Sequence, residues 1–211
     1  HLSGDPVLIL VPAGARPEVV GNTRRALGFE QPFLAQFGTF VVQSFTGRFP
    51  DSIVTGQPAL ELVLSRVPAT LDLAVTATVL GLVLGLLLGW LAGGVRNRVV
   101  RGTATAVTSL LQATPSFFIA VIAVLVIAVN LRLLPTGGSG SPAQLVLPST
   151  VLALSIAPSI ARVFRGTLVD VRGEDFVFAL RARGVGEARI AGRHVLPNSS
   201  LPLVTVLGMG F

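Results

Sequence analysis

Residues 73–95 read LAVTATVLGLVLGLLLGWLAGGV, 23 positions in a row without a charged side chain. As an α-helix rising 1.5 Å per residue this stretch extends roughly 34 Å, enough to cross about 30 Å of hydrocarbon. Gly81, Gly85, Gly89 and Gly93 recur every four residues, which places them on one face of that helix. A stripe without side chains lets a second backbone approach closely. Helices associate this way in lipid, where burial of apolar surface supplies little driving force. The stripe is therefore read as a packing surface. Arg66 and Asp72 lie near its start, and Pro68 suits a first helical turn.

The rest of the composition agrees with a membrane-embedded chain. Of the 211 residues, 51% are hydrophobic and 12% charged, with a mean hydropathy of +0.77. Soluble domains carry about 25% charged residues. All sixteen basic residues are arginine. A Walker A loop needs its lysine on the phosphates, so the chain is not itself a P-loop ATPase. Cysteine is absent, which excludes disulfides, thiol catalysis and cysteine-ligated metal. The two histidines, His1 and His194, are far apart, and no acid pair, nucleophile–base set or metal-ligand spacing stands out, so no cofactor is expected. The net charge of +6 does not point to nucleic acid, because no aromatic stacking platform is interleaved with the arginines.

Further spans follow from the same logic. Thr103–Leu131 is uncharged, and Pro115 within it removes a backbone donor and predicts a kink. Gln112, Thr114 and Ser116 beside that kink are polar groups suited either to a water-filled pathway or to packing. Leu145–Ala161 predicts a third, short span that Pro148 and Pro158 bend or interrupt, with Arg162 and Arg165 snorkelling at its end. Leu201–Phe211 begins another span, but 11 residues make only roughly 16 Å of helix. Ahead of all these, residues 1–66 hold mixed polarity and no span. Phe33, Phe37, Phe40, Val41 and Phe45 recur at helical spacing and predict an amphipathic helix lying on a membrane or against neighbouring helices.

Charge asymmetry orients the whole. Arg96, Arg98 and Arg101 follow the first span, and seven arginines lie between Arg162 and Arg193, so ten of sixteen flank one side. Arginine at a helix centre costs about 2.5–3.5 kcal/mol, and the basic side is the cytoplasmic one. This puts residues 1–66 and the turn-rich loop 132–144 outside and the segment 162–197 inside.

Within that segment, residues 174–197 read EDFVFALRARGVGEARIAGRHVLP. Phe176, Ala179 and Leu180 at i, i+3 and i+4 predict an apolar face on a short helix, with Arg181 and Arg183 on the other side. Gly184 and Gly186 break the periodicity, and Glu187–Ala191 predicts a second short helix that Pro197 stops. The expected object is a helix–bend–helix with a greasy patch and a basic rim.

Asp175-Phe176-Val177, Arg181-Ala182-Arg183-Gly184, Arg193-His194 and Leu196-Pro197-Asn198 resemble the cytoplasmic "EAA" loop of ABC-importer permeases, most closely the peptide/nickel branch (oligopeptide and dipeptide permeases). Gly184 and Leu196-Pro197 keep the spacing of that motif. Phe178, Ala179 and Leu180 stand where the general pattern has an acid and two alanines; peptide-branch members often lack that acid. In the amino-terminal region Gly47, Asp51, Ser52 and Thr55-Gly56 fit the family pattern, while Arg48 and Pro50 depart from it.

The resemblance implies an all-α, polytopic transmembrane bundle of the type I importer permease kind, with an extracytoplasmic segment 1–66 and a permease domain 67–211. The family has a span before His1 and more than one after Phe211, so the chain is expected to be incomplete at both ends. The implied function is ATP-driven import of peptides or a related small solute such as a nickel chelate, without bond chemistry in this chain. The implied partners are a second permease, two ATP-binding subunits, an extracytoplasmic substrate-binding protein and membrane lipid. Asp175, Phe176, Ala179, Leu180, Arg181, Ala182, Arg183, Gly184, Glu187 and Arg189 are the implied docking residues for the ATPase. Two rivals remain: a membrane scaffold whose basic loop recruits a soluble partner or anionic lipid, and a secondary transporter, which the absence of a mid-membrane acid or histidine disfavours.

Overall fold

The computed structural model describes residues 7–200 apart from 13, 27 and 53. The span expected at Leu201–Phe211 lies outside the described residues. Among those described there is no strand, only an isolated antiparallel bridge between Asp51 and Pro58. The chain divides into a unit of residues 1–68 and a unit of residues 69–211.

The first unit contains α1 (Val7–Leu10), α2 (Pro17–Ala26) and α3 (Phe33–Thr46). The aromatic face predicted for α3 is present and uncovered within the unit: Phe33, Phe37, Phe40 and Phe45 are all exposed, and the Phe33 and Phe37 rings stack 6.2 Å apart.

The second unit is a bundle of long apolar helices. α4 runs from Ala59 to Gly93, so it starts well before the predicted span and Pro68 lies inside it rather than at its start. The proline at the helix entrance is Pro58, whose carbonyl accepts the Leu62 N–H at 3.1 Å. Along α4, Gly81, Gly85 and Gly89 are buried, while Val75, Val79, Val83 and Leu87 on the opposite face are exposed. A helix apolar on its exposed face as well as its packed one suits lipid rather than water.

α5 (Arg98–Ala113) begins at an Asn97 cap whose side-chain oxygen accepts the Val99 and Val100 N–H groups at 2.9 and 3.3 Å. Arg98 and Arg101 therefore sit in its first turns, not in a loop. The kink expected at Pro115 is a full break: α6 (Ser116–Ala123, continued as a π-helical stretch Val124–Asn130) leaves at 98° to α5. The proline ring pushes the preceding residue out of the helical region. Thr114 and Pro115 are both extended, with ψ of 124° and 137°.

α7 (Pro142–Arg172) is continuous through Pro148 and Pro158, which neither end nor interrupt it. Hydroxyls of Ser149, Thr150 and Ser155 donate to the Leu145, Val146 and Val151 carbonyls one turn back. The helix also runs eleven residues past the predicted end at Ala161, carrying Arg162, Arg165 and Arg172. α4 and α7 are each long and apolar enough to cross a membrane, and α5 with α6 makes a third, bent candidate. The fold is thus an all-α membrane bundle, with α5 and α6 both packed on α7.

The glycine stripe meets α7. A Cβ built on Gly85 would lie 2.7 Å from Ile160 Cβ and 2.9 Å from the Ala157 carbonyl oxygen, and one on Gly89 2.8 Å from the Ala161 carbonyl oxygen. Gly81 and Gly93 face Ile156 and Arg165 in the same register. At Gly85 and Gly89 only glycine permits this approach.

Candidate functional site

The segment 174–197 is a folded part of the bundle. It comprises α8 (Asp175–Ala182), a tight turn, α9 (Glu187–Ile190) and a π-helical stretch Ala191–Val195 that continues as helix to Ser200. Pro197 does not stop this helix. The wide turn just ahead of it, in which the Leu196 N–H reaches back to the Ala191 carbonyl, relaxes the usual ladder where a proline cannot donate. Asn198 and Ser199 side chains bond the His194 and Val195 carbonyls at 2.7 Å each.

α8 ends at Gly184, which has φ +74°. Its N–H donates to the Arg181 carbonyl at 2.9 Å and the Val185 N–H to the Leu180 carbonyl at 3.1 Å. This is the Schellman pattern, in which a left-handed residue closes the helix and satisfies its last carbonyls. Leu180 and Val185, the apolar pair that accompanies the motif, both pack on the central core.

That core joins the site to the spans. Ile160, Phe164 and Leu168 of α7 form it with Val177 of α8, Ile190 of α9 and Val195, all at most 1% exposed; Leu82, Leu86 and Trp90 of α4 pack around them. The predicted apolar face of α8 is corrected here. Val177 and Leu180 turn inward, whereas Phe176, Phe178 and Ala179 face out, Phe178 at 75% exposure. Residues 177 and 180 share a face one turn apart, and a core wanting two apolar anchors takes that pair, leaving the phenylalanines on either side uncovered. Asp175, Arg181, Ala182, Arg183, Glu187 and Arg189 are all exposed beside them.

Polar ties reinforce the joint. Arg181 Nε donates to Glu187 Oε1 at 2.7 Å across the turn, and Arg96 approaches the same carboxylate at 3.8 Å. The Arg181 hydrogen bond holds the Glu187 carboxyl below its ordinary value, against the opposing effect of desolvation. Thr167 of α7 donates to the Ser199 carbonyl at 2.9 Å, and the buried Ser199 hydroxyl lies 3.4 Å from the Thr167 carbonyl.

Arg172 is the residue that sequence reasoning missed, having counted it only as one positive charge among seven. Its guanidinium donates to the Gly93 and Gly94 carbonyls at 2.9 and 2.7 Å and lies 5.7 Å from the centre of the Trp90 ring. It thereby satisfies the terminal carbonyls of α4 from the last residue of α7. No local signal marks it, because its partners are 78 and 79 residues away.

The residues of the predicted pathway kink are set apart from this loop. Thr114 closes α5, its N–H and hydroxyl both donating to the Leu110 carbonyl at 3.1 and 2.8 Å, and Pro115 opens α6. Gln112, Pro115 and Ser116 are exposed and Thr114 half-buried.

Comparison with known proteins adds the following. Residues 81–211 match the family described as binding-protein-dependent transport system inner membrane component. The chain is 33% identical to glutathione transport system permease protein GsiC of Salmonella paratyphi A, and the match covers all of this chain and 69% of the relative. It is 32% identical to the protein of the same name from Escherichia coli K12, with the same coverage of each.

Proposed function

The chain belongs to the family of inner-membrane components of binding-protein-dependent transport systems, and from that premise we propose that it carries a peptide-like solute through the cytoplasmic membrane, driven by ATPases that dock on residues 174–197. It is a permease subunit of an ABC importer and not an enzyme, with ATP hydrolysis on a separate chain. Such an importer works with a second permease, ATPase subunits and a substrate-binding protein; two ATPases are the proposed number. The solute class follows from the relatives, which are named as glutathione permeases, and a nickel chelate stays within the proposed class.

One observation carries the docking assignment. α8 is fused to α7 through Val177, Leu180, Ile190 and Phe164, yet it leaves Phe176, Phe178 and Ala179 uncovered among exposed arginines. A force applied to that outward face passes into α7 and from there to α4, whose end Arg172 holds. ATP can shift the two access states only if the docked ATPases bind them with different affinity. A packed lever meets that demand better than a loose loop. In this reading Phe176, Phe178 and Ala179 supply buried area, Asp175, Arg181, Ala182, Arg183, Glu187 and Arg189 frame it, Gly184 sets the bend, and Leu180 anchors the lever from within. The basic end lies in the cytoplasm, with residues 1–66 and the loop 132–144 outside, facing the binding protein.

The test is co-purification of the full-length gene product with its neighbouring ATPase, with and without Gly184→Pro. Proline fixes φ near −65°, which the +74° turn cannot accept. Loss of the ATPase from a variant that still inserts in the membrane supports the assignment. Equal retention sinks it and favours a scaffold whose basic loop serves lipid or another partner.

A further inference from the structure

A cavity of about 200 Å³ lies among α4, α5 and α7, away from the docking loop. Thr105, Thr108, Ser109 and Gln112 line it from one face of α5, Arg162 and Arg165 from α7, and Ala92 from the last turn of α4. Its chemistry is one-sided, with two cations and no acid in the lining. The Thr105 and Thr108 hydroxyls already donate to the Arg101 and Ala104 carbonyls at 2.8 Å each. The Ser109 hydroxyl, the Gln112 amide and both guanidiniums have no hydrogen bond or ion pair with any described residue. All four side chains are exposed towards this open pocket, and two arginines one turn apart can each offer a fork to an oxyanion there.

Size and depth select the source of that oxyanion. The cavity is open on one side and smaller than the roughly 300–1,000 Å³ that encloses a whole small molecule, so it suits one headgroup whose remainder lies outside. It lies at the level of Ala92 and Arg162, where the uncharged stretches of α4 and α7 end. On the orientation proposed above, the two arginines of α7 are then at headgroup depth, with Ser109 and Gln112 of α5 reaching further in. We propose that the cavity holds the phosphate of an anionic phospholipid headgroup between α5 and α7. The proposal rests on the reading of the chain as an inner-membrane permease with its arginine-rich end at the membrane surface.

The experiment uses the full-length permease complex in nanodiscs of equal phosphatidylglycerol and phosphatidylcholine, with retained lipid counted by native mass spectrometry after release into mild detergent. The expected result is a preference for phosphatidylglycerol on the order of tenfold, the scale for two arginines facing one headgroup. Arg162→Gln with Arg165→Gln removes the preference. Ser109→Ala with Gln112→Leu, which keeps both charges, reduces it by a smaller factor and decides the matter if the arginine variant fails to assemble. Arg98→Gln, an exposed arginine outside the cavity, leaves it unchanged. Retention by either cavity variant equal to wild type overturns the proposal, and so does an equal loss in Arg98→Gln. Displacement of the lipid by millimolar glutathione also overturns it, since the site would then take a solute carboxylate. Lipid retention reads neither ATPase binding nor sidedness, so its failure is separable from failure of the transport reading, which co-purification reports.

Discussion

At the scale of single residues, two side chains tie the basic end together. Arg172 caps a helix from another helix, and its hydrogen bonds to the Gly93 and Gly94 carbonyls are charge-assisted. Bonds of that kind contribute about 1.5–3 kcal/mol, part of it the cost of carbonyls left unpaired. Arg172→Gln is expected to destabilise by roughly 2 kcal/mol and to speed amide exchange at residues 93–97 before that of the rest of α4. Uniform exchange along α4 would count against the capping role. Glu187 acts through its charge. Its carboxyl is held below the ordinary value by Arg181, so its contribution is complete above the unfolded value near 4.3 and disappears as pH falls through the lower, folded one. Thermal midpoints between about pH 3 and 7 should show an acidic decline that Glu187→Gln flattens. An unchanged acidic limb in that variant would assign the decline to other carboxylates.

At the scale of elements, α4 meets α7 along the glycine stripe. Gly85→Ala must displace Ile160 or the Ala157 carbonyl, and overpacking of this kind costs about 1–3 kcal/mol. Gly102→Ala in α5 has the opposite expectation. Nothing lies within 4 Å of its Cβ position, so the gain in helix propensity, about 0.5–1 kcal/mol, is uncompensated by strain. Opposite shifts in thermal midpoint in one detergent would verify both, whereas two shifts of the same sign would refute the packing account. Much of this was readable from residue order. The period of four in the glycines pointed to a packed face, and the length of the uncharged run pointed to a span. The prolines were less readable. Pro115 breaks a helix by 98°, Pro68, Pro148 and Pro158 lie inside helices, and Pro197 lies inside helical residues. A proline withdraws one hydrogen bond wherever it stands, and neighbouring hydroxyls and packing decide whether the helix survives the loss.

At the scale of the whole molecule the question is orientation, which single thiols can report because these 211 residues contain no cysteine, any cysteine elsewhere in the gene product being replaced first. Ser139→Cys in the loop before α7 and Gly186→Cys between α8 and α9 introduce single thiols, the latter where nothing crowds a Cβ. In intact spheroplasts a membrane-impermeant maleimide is expected to label position 139 at once and position 186 only after permeabilisation. The reverse order would place the basic loop outside and remove the docking proposal with it.

Residue order alone determined the class of this protein: charge-free runs long enough for hydrocarbon, arginines massed on one side, and a glycine-bounded basic segment spaced like a permease loop. These are one-dimensional signals, because the bilayer acts on the chain as a solvent and demands length and polarity before it demands any partner. Tertiary structure decided what depends on distant neighbours. It turned Val177 and Leu180 inward and Phe178 outward, carried α7 past its last apolar turn to bring Arg172 onto α4, and set two arginines of α7 opposite the polar face of α5. Each of those outcomes is a choice between faces of a helix that local propensity leaves nearly equal in energy, and only the packed neighbour separates them.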